Sequence, residues 1–223
     1  MEVKAPRSYV SPAREAAARA TRAAVLAAAH DLFVEQGYGA TTVDQVASRA
    51  GVSKPTVFTS VGSKRDLLKQ VRDVTIAGDD EDVPVAARRS AQHVRDTPDA
   101  AEVLRRYARF ATAINRRYAP VHEVLVQAAG QEEPLRDLLR QSEAERRRGA
   151  EVVVEDVAAK GRLRHSRSRS VDLLWNLTAP EQLLRLVRDS GWSPRSFEGW
   201  LAGTMCEQLL APDGRRPTAA RAG

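Results

Sequence analysis

The short stretch between Gly51 and Gly62 holds the side chains best suited to chemistry with a polyanion. Hydroxyls, one cation and one aromatic ring recur there without an acidic residue among them. Such side chains suit close approach to phosphates and base edges. The stretch therefore predicts contact with nucleic acid. The side chains expected on or near the outer side of a helix here are Ser53, Lys54, Thr56, Phe58, Thr59 and Ser60.

Catalytic and metal-binding arrangements are weaker interpretations of this chain. No histidine has a cysteine, histidine or acidic partner at a convincing metal-ligand spacing. No glycine-rich phosphate loop or nucleophile motif is found. The paired acids Glu132–Glu133 and Asp79–Asp80 fall in predicted loops and are expected to be solvated. We predict no catalytic residue, no metal site and no cofactor. The histidines are His30, His93, His122 and His165.

Capping signals predict two short helices that position the hydroxyl-rich stretch. Thr42 and Gln45 form a capping-box pair, in which each side chain satisfies an exposed backbone donor at a helix start. Gly51 permits a sharp turn, and Ser53 caps the next helix. A positioning helix, a glycine turn and a short second helix are the parts of a helix-turn-helix, here at about residues 42–61.

Helices are predicted on both sides of this motif, and no strand-like alternation of useful length appears. A long helix over residues 13–36 stops at Gly37, where glycine tolerates a left-handed conformation. The acidic stretch 78–84 is interpreted as a hinge, and a helix is expected to break before Pro120. The other helices are predicted from Ser63, over 99–118, 121–129 and 133–160, and from Ser170, Pro180 and Ser193. The fold class is therefore all-α.

Composition narrows the class of protein further. The formal net charge of +6 and the pI near 9.9 are compatible with an acidic partner, although overall charge alone is a weak argument. Cys206 is the single cysteine, so no intrachain disulfide can form, which suits a reducing cytosol. Because no long apolar run or signal segment appears, we expect a cytoplasmic protein without a membrane partner. The arginine runs 146–148 and 162–169 indicate solvated surface, with a second nucleic-acid surface as the alternative.

The run TTVDQVASRAGVSKPTVFTSVGSKRDLL closely resembles the DNA-binding domain of the TetR family of bacterial repressors. The resemblance covers about residues 18–78. Its most specific parts are the AGVS turn, the TVF that follows and SKRDLL at the start of the next helix. It implies a recognition helix that meets DNA and a helix N-terminus that faces a phosphate. The positions that it assigns to DNA contact are Thr42, Ser53, Lys54, Thr56, Phe58, Ser60 and Lys64.

Two positions depart from the family pattern. Phe58 stands where a tyrosine usually contacts phosphate, so only ring packing remains. Ser60 stands where a histidine is common and is shorter. These departures support an alternative, a ligand- or protein-binding helical module with degenerate DNA-binding heads. An ordinary small bundle with a basic face would explain the helices, but not the glycine turn together with the hydroxyl-rich face.

The C-terminal region resembles the ligand-binding and dimerisation domain of the same family. The run from Trp175 to Leu210, which includes APEQLLRLVRDSGWSPRSFEGWL, looks like a subset common in actinobacteria. The family architecture implies a homodimer joined by a four-helix bundle. An apolar stripe is more often intramolecular core than interface, so the residues alone leave both interpretations open. The interface residues assigned are Leu173, Leu174, Leu177, Phe197, Trp200, Leu201, Met205 and Leu209.

The family further implies a small-molecule effector that enters the C-terminal bundle and moves the two DNA-reading heads apart. A mixture of apolar walls and a few polar tips is typical of such pockets, but the same residues also suit plain core. The pocket residues assigned are Tyr107, Phe110, Ile114, Tyr118, His122, Leu125 and Trp175.

The expected function is a ligand-responsive repressor that binds a palindromic operator as a homodimer. Its expected partners are double-stranded DNA, a second copy of the chain and an unidentified small molecule. An enzyme that uses the C-terminal cavity is the remaining alternative. The predicted domains are a disordered arm 1–13, a helix-turn-helix domain 14–77, a ligand-binding and dimerisation domain 85–211 and a disordered tail 212–223.

Overall fold

The computed structural model describes residues 12–212, and this part of the chain consists of helices and their connections. It contains no strand, and its β-type pairing is an isolated antiparallel bridge between Leu163 and Leu210. The predicted all-α fold is confirmed. The predicted disordered segments 1–13 and 212–223 lie outside the described residues except at their inner ends.

The described residues group into two compact units. The first contains the described residues up to Asp80 together with Val121–Asp137. The second contains Glu81–Pro120 and the described residues from Leu138 onward. The predicted division places all of residues 85–211 in one domain after the acidic stretch 78–84. The observed grouping differs, because Val121–Asp137 belongs to the first unit. The predicted domain limits stay a prediction.

The long first helix, α1 (Pro12–Ala40), is interrupted near its end by Gly37. Gly37 has φ 81° and ψ 166°, a conformation that is far from helical and that glycine adopts without steric cost. The predicted stop at this glycine is therefore confirmed as a break, after which helical geometry resumes. Val25 and Phe33 on α1 are fully buried in the core of the first unit.

Three shorter helices follow, each beginning at a capped residue. They are α2 (Val43–Ala50), α3 (Lys54–Val61) and α4 (Lys64–Ala77). The hydroxyls of Thr42, Ser53 and Ser63 accept hydrogen bonds from backbone amides of the first turns at 3.2, 3.3 and 3.3 Å. Each cap satisfies an otherwise unpaired amide and stabilises its helix by about 1 kcal/mol. All three predicted caps are confirmed.

Gly51 makes the turn between α2 and α3. Its φ of 68° and ψ of 30° lie in the left-handed region, where a side chain costs about 1–2 kcal/mol. The amide of Val52 donates to the carbonyl of Ala47 at 3.0 Å and closes the turn. The predicted helix, glycine turn and helix are therefore present in this order.

The remaining helices are longer on average, and two of them carry residues of both units. They are α5 (Arg89–Arg95), α6 (Ala100–Ala129), α7 (Glu133–Lys160), α8 (Arg167–Leu177), α9 (Pro180–Leu183) and α10 (Pro194–Leu209). α9 continues into a π-helical turn, Leu184–Asp189. In the second unit, Leu104, Val154, Leu174 and Phe197 are fully buried in one hydrophobic core. None of the helices in residues 12–212 is long and apolar enough to cross a membrane.

The predicted helix break before Pro120 is wrong, because α6 is continuous through this residue. Proline removes one backbone hydrogen bond and costs about 3 kcal/mol in a helix interior. Tyr118, Ala119 and Val121 are buried on its two sides. Burial of a large apolar side chain contributes about 1.5–3 kcal/mol, so packing of both halves of the helix outweighs the local cost.

Two further predictions near α8 and α5 are corrected. α8 is capped by Ser166, whose hydroxyl accepts from the amide of Arg169 at 3.4 Å, and not by Ser170. Ser170 is fully buried inside the helix. Both serines precede residues that form a helix, so the local sequence does not identify the cap. The burial of Ser170 shows that it lies within the helix and does not start it. The short helix α5 was not predicted, because its one buried residue, Val94, leaves no apolar periodicity.

Candidate nucleic-acid interface

Helix α3 divides its side chains between a buried face and an exposed face. Val57 is fully buried and Val61 is 4% exposed. Because an α-helix has about 3.6 residues per turn, Thr59 points away from both valines, and it is exposed. α3 therefore anchors itself by one face and presents the other to solvent, as an element that enters a major groove must.

The hydroxyls at the start of α3 form a local network. Ser53 Oγ accepts from the amide of Thr56 at 3.3 Å and lies 2.7 Å from Thr56 Oγ1. Both residues sit in the first turn, where the helix dipole favours negative charge. The structure thus brings two of the predicted DNA-contacting residues together. Their contact with DNA stays a prediction.

Lys54 is paired with an acid from the preceding helix. Its Nζ donates to Asp44 Oδ2 at 2.8 Å. The Lys54 and Asp44 side chains are 50% and 68% exposed, and ion pairs this exposed contribute about 0–1 kcal/mol. A phosphate can therefore take the place of the Asp44 carboxylate at small cost.

The two positions that depart from the family pattern behave differently. Phe58 is 47% exposed, so its ring is available for contact outside the chain. Ser60 is half-buried, and its hydroxyl donates to the carbonyl of Val57 at 3.1 Å. The Ser60 carbonyl accepts from Arg22 Nη1 at 3.1 Å. Ser60 is thus engaged within the first unit, whereas Phe58 is presented to solvent.

Thr42 lies at the exposed start of α2. Its hydroxyl accepts from the amide of Gln45 at 3.2 Å, and its own amide donates to Gln45 Oε1 at 2.8 Å. This reciprocal capping box occupies the threonine hydroxyl. A phosphate at this end of α2 would therefore be held by backbone amides of the first turn rather than by the side chain.

Lys64, the predicted phosphate-contacting lysine, packs on an aromatic ring. Its Nζ lies 4.2 Å from the centroid of the Tyr38 ring and donates to the carbonyl of Gly39 at 3.4 Å. Burial lowers the pKa of Lys64, while the negative charge of Glu132 acts in the opposite direction. The lysine is therefore held in place before any DNA arrives, which reduces the entropy that binding would cost.

Glu132 joins the same cluster and corrects a prediction. It was expected to be solvated, but it is half-buried, and Arg65 Nε lies 3.0 Å from its Oε2 atom. The Tyr38 hydroxyl also donates to its carboxylate. Burial, and then the Glu132 charge, raise the pKa of Tyr38 to about 12, so the phenol is a proton donor at neutral pH. Glu132, Tyr38 and Arg65 therefore form a connected polar group around Lys64.

Sequence reasoning missed Asp44, Tyr38 and Glu132 as neighbours of the predicted contacts. Asp44 is ten residues from Lys54, and Glu132 is much farther along the chain from Lys64. Only tertiary packing brings such pairs together. Tyr38 directly follows Gly37, which interrupts α1. This glycine was a usable signal that the Tyr38 ring does not continue the helical spacing of the preceding residues.

The predicted pocket residues fall in both units. Tyr107, Phe110, Ile114, Tyr118 and Trp175 belong to the second unit, and His122 and Leu125 belong to the first. The Tyr107 and Phe110 rings stack with centroids 6.2 Å apart. His122 is 2% exposed and Leu125 is fully buried, as expected for core residues. The pocket assignment stays a prediction.

The predicted interface stripe contains two kinds of residue. One kind is fully buried in the hydrophobic core of the second unit, and the other is only partly buried against that core. A residue that is buried within its own chain offers no surface to a second copy. The first group is Leu174, Phe197, Leu201, Met205 and Leu209, and the second is Leu173, Leu177 and Trp200. The interface stays a prediction that now depends on the second group.

No group of three or more histidine, cysteine or acidic side chains in residues 12–212 is arranged to hold a metal ion. Cys206 is half-buried, and burial raises the pKa of its thiol. A thiol with a raised pKa is a poor nucleophile at neutral pH.

The helix-turn-helix matches known proteins in sequence. Residues 25–71 match the model of bacterial regulatory proteins of the tetR family. The HTH-type transcriptional activator FasR of Mycolicibacterium smegmatis is 46% identical over 50 residues, which are 22% of this chain and 23% of that protein. The HTH-type regulator YdeS of Bacillus subtilis is 53% identical over 38 residues, 17% of this chain and 19% of that protein. The chain thus matches about a fifth of the length of these relatives.

Solved structures extend the likeness to most of the chain. A protein from Rhodococcus sp. described as a TetR-family transcriptional regulator superposes with a TM-score of 0.66 at 20% identity, covering 85% of this chain and 98% of its own. A regulator from Saccharomonospora viridis in complex with choline has a TM-score of 0.66 at 19% identity, covering 86% and 98%. Identities this low show a shared fold. The sequence match to the tetR family of bacterial regulatory proteins thus covers the helix-turn-helix, and the likeness over most of the described chain is one of fold.

Proposed function

We propose that the chain is a ligand-responsive transcriptional repressor that binds a palindromic operator as a homodimer and is released by a small-molecule effector. The observation that carries this proposal is the two-faced helix α3. Val57 and Val61 anchor it, and hydroxyls, Lys54 and Phe58 lie on its solvent side. This is the surface that a recognition helix needs in order to approach base edges and phosphates.

Ion-paired side chains on α3 and α4 supply the cations for the phosphate backbone. Lys54 is paired with Asp44 and Arg65 with Glu132, at 2.8 and 3.0 Å. Phosphates replace these carboxylates when DNA binds, and counterions are released. The operator affinity should therefore fall with salt, with a log–log slope of about −0.9 for each phosphate neutralised.

A homodimer would place two copies of α3 in successive major grooves, about 34–36 Å apart. The operator would then be an approximate palindrome, because the protein's two-fold axis is repeated in the DNA. Apolar surface for the second copy is provided by partly buried residues of α8 and α10. These are Leu173, Leu177 and Trp200.

The proposed effector binds in the C-terminal helical bundle and favours the state in which the heads no longer fit the operator. A ligand shifts such an equilibrium only by its differential affinity for the two states. The Saccharomonospora viridis neighbour binds choline, so this fold accommodates small organic molecules.

One matched relative is named as an activator. A promoter-reporter assay in cells with and without the protein determines whether it represses or activates transcription. If it is a repressor, reporter output rises when the protein is deleted.

Capture of genomic DNA by the purified full-length protein at moderate salt, followed by sequencing, tests the proposal. A recovered palindrome supports it. The matched variant is the double substitution Lys54→Ala with Thr56→Ala, which should reduce operator affinity at least about tenfold, the loss expected for contacts worth over 1.4 kcal/mol. Circular dichroism and sedimentation should show an unchanged fold and dimer.

Arg148→Ala is the control for a lost positive charge, because Arg148 is exposed on α7 far along the chain from the motif. It should leave operator affinity within about twofold of the wild type, as for a surface residue outside the interface. Equal losses in both variants would contradict recognition by α3.

The second candidate function is a ligand- or protein-binding module whose heads no longer read DNA. The observation that favours it is the engagement of Ser60 within the first unit, where its hydroxyl proton is donated to the carbonyl of Val57. Capture of random fragments alone, by a protein shown to be folded and dimeric, would support this candidate instead.

A further inference from the structure

A cluster of polar side chains lies inside the second unit, on three helices that are far apart in the sequence. Asn115 on α6 donates from Nδ2 to the carbonyl of Thr178 at 3.0 Å, and this bond is buried. Thr178 ends α8, and its hydroxyl donates to the carbonyl of Leu174 at 2.8 Å. The hydroxyl of Tyr107 is hydrogen-bonded to the Thr178 side chain. The end of α8 is therefore tied to α6 by buried polar contacts.

Arg146 on α7 connects to the same end of α8. Its Nη1 atom donates to the carbonyl of Trp175. Its Nη2 atom lies 2.5 Å from Glu143 Oε2. The guanidinium carbon lies 5.2 Å from the centroid of the Trp175 ring, so cation and ring are in contact range. Two of the three guanidinium nitrogens are thus occupied.

Two atoms of this cluster are buried without a hydrogen-bond partner among the described residues. They are Arg146 Nε and Trp175 Nε1. The arginine and indole N–H groups only donate, so each of them requires an acceptor. More than about 90% of buried polar groups in proteins are paired, and an unpaired one costs about 1–3 kcal/mol. One acceptor that reached both side chains, which lie in contact range, would satisfy the two donors.

The two unpaired groups are N–H donors, which favours an acceptor such as a carboxylate; Glu143 and Asp172 already pair with Nη2 of Arg146 and Nη2 of Arg147, at 2.5 and 2.8 Å. Arg147 also lies over the Trp175 ring, with its guanidinium carbon 5.5 Å from the centroid. An ammonium ligand would offer neither N–H group an acceptor. A carboxylate instead forms a charge-assisted bond with Arg146 Nε, roughly twice as strong as a neutral one, and a second oxygen is left for the indole. The stacked Tyr107 and Phe110 rings supply apolar surface in the same unit.

We propose that Arg146 Nε and Trp175 Nε1 form a subsite for the carboxylate group of a small-molecule effector. The inference rests on the proposed ligand-responsive function and specifies its ligand class. The carboxylate bridges α7 and the end of α8. Occupancy thereby adds a second link between two helices that are joined here by the bond from Arg146 to the Trp175 carbonyl.

The experiment uses full-length protein labelled with nitrogen-15, whose indole resonances report on Trp175, Trp192 and Trp200 separately after assignment by tryptophan-to-phenylalanine variants. The probes are benzoate and octanoate, their primary amides, and choline. Both carboxylates should shift the Trp175 resonance saturably. The amides should bind at least about tenfold more weakly, because the charge-assisted bond is lost. Choline should leave the resonance unmoved.

Arg146→Gln should abolish the carboxylate-dependent shift, and Arg148→Gln, which removes the same charge from an exposed neighbouring position, should retain it. If Arg146→Gln does not fold, Trp175→Phe with calorimetric titration of octanoate is the second variant, and it should weaken binding at least about tenfold for the lost donor. The proposal is overturned if no carboxylate moves Trp175 in the folded protein, if amides bind equally well, or if the shift survives Arg146→Gln. Because DNA is absent from these titrations, their failure is distinct from a failure of operator binding.

Discussion

The two units of this protein present their polar groups in opposite ways. In the first unit, the side chains around α3 lie at helix ends and on an exposed face, each close in sequence to the cap or turn that positions it. In the second unit, Asn115, Arg146, Trp175 and Thr178 come from three helices and meet in the interior. The polar groups of the first unit are solvent-exposed and depend on contacts between residues close in sequence. Those of the second unit are largely buried and depend on contacts between residues distant in sequence.

Under the proposed function, this difference separates the recognition of DNA from the recognition of a small molecule. A surface that reads a regular polymer needs a small rigid element with caps and a turn, because the DNA supplies the long-range order. A site for a small molecule needs polar groups that surround it from several directions, so helices distant in sequence must supply them. The energetic consequences differ as well. Exposed pairs are cheap to break, whereas buried groups are costly to leave unpaired.

The largest expected effect comes from the core of the second unit. Phe197→Ala should lower the free energy of unfolding by about 3–5 kcal/mol, since it removes a fully buried ring and leaves a cavity. Chemical denaturation followed by tryptophan fluorescence measures it. The control is Val152→Ala, which is 50% exposed and should change the value by less than about 0.5 kcal/mol. Similar losses in both variants would contradict the assigned core.

A smaller effect distinguishes the locally determined turn from an ordinary helical glycine. Gly51→Ala should cost about 1–2 kcal/mol, because Gly51 has φ 68°. Gly149→Ala should instead stabilise the protein by up to about 1 kcal/mol, since Gly149 lies inside α7 with open space around an added Cβ. Thermal melting of the two variants compares the signs directly. Two variants that shift the melting temperature in the same direction would refute the left-handed turn.

The smallest effect is a pH dependence at the candidate interface. Burial lowers the pKa of Lys64 below its ordinary value of 10.5 and outweighs the opposite effect of the Glu132 charge, whereas a bound phosphate would favour the charged form. Operator binding should therefore take up protons at alkaline pH, and affinity should fall as the pH rises through the lowered pKa. Because one proton is linked to binding, operator affinity should fall by at most about tenfold per pH unit.

The matched variant for this pH profile is Lys64→Arg, whose guanidinium stays charged across the range. Fluorescence anisotropy with the operator between about pH 8 and 10 should show a flatter profile for the variant, because the linked group no longer titrates. In folding, the sign is the reverse: a lowered lysine pKa disfavours the folded state below that pKa, and this penalty disappears as the pH rises. Identical binding profiles would exclude Lys64 from the phosphate contacts.

The helix-turn-helix was predictable because its signals are short-range. The capping box of Thr42 and Gln45, the turn at Gly51 and the cap at Ser53 are each contained within four residues. Pro120 shows the limit of such reasoning. A local rule breaks the helix there, yet α6 continues, because packing on both sides stabilises it more than one lost backbone bond destabilises it.

From the sequence alone followed the all-α class, the order of α1 to α4 and the exposure of Ser53, Lys54, Phe58 and Thr59, but not the half-buried position of Ser60. Those features depend on interactions within a turn or two of helix. The tertiary structure decided that Lys54 pairs with Asp44, that Glu132 joins Tyr38 and Arg65, and that the apolar stripe of α10 is mostly core. It also decided that Arg146 meets Trp175. Such contacts depend on how helices far apart in the chain pack together, and no local pattern of residue types encodes that packing.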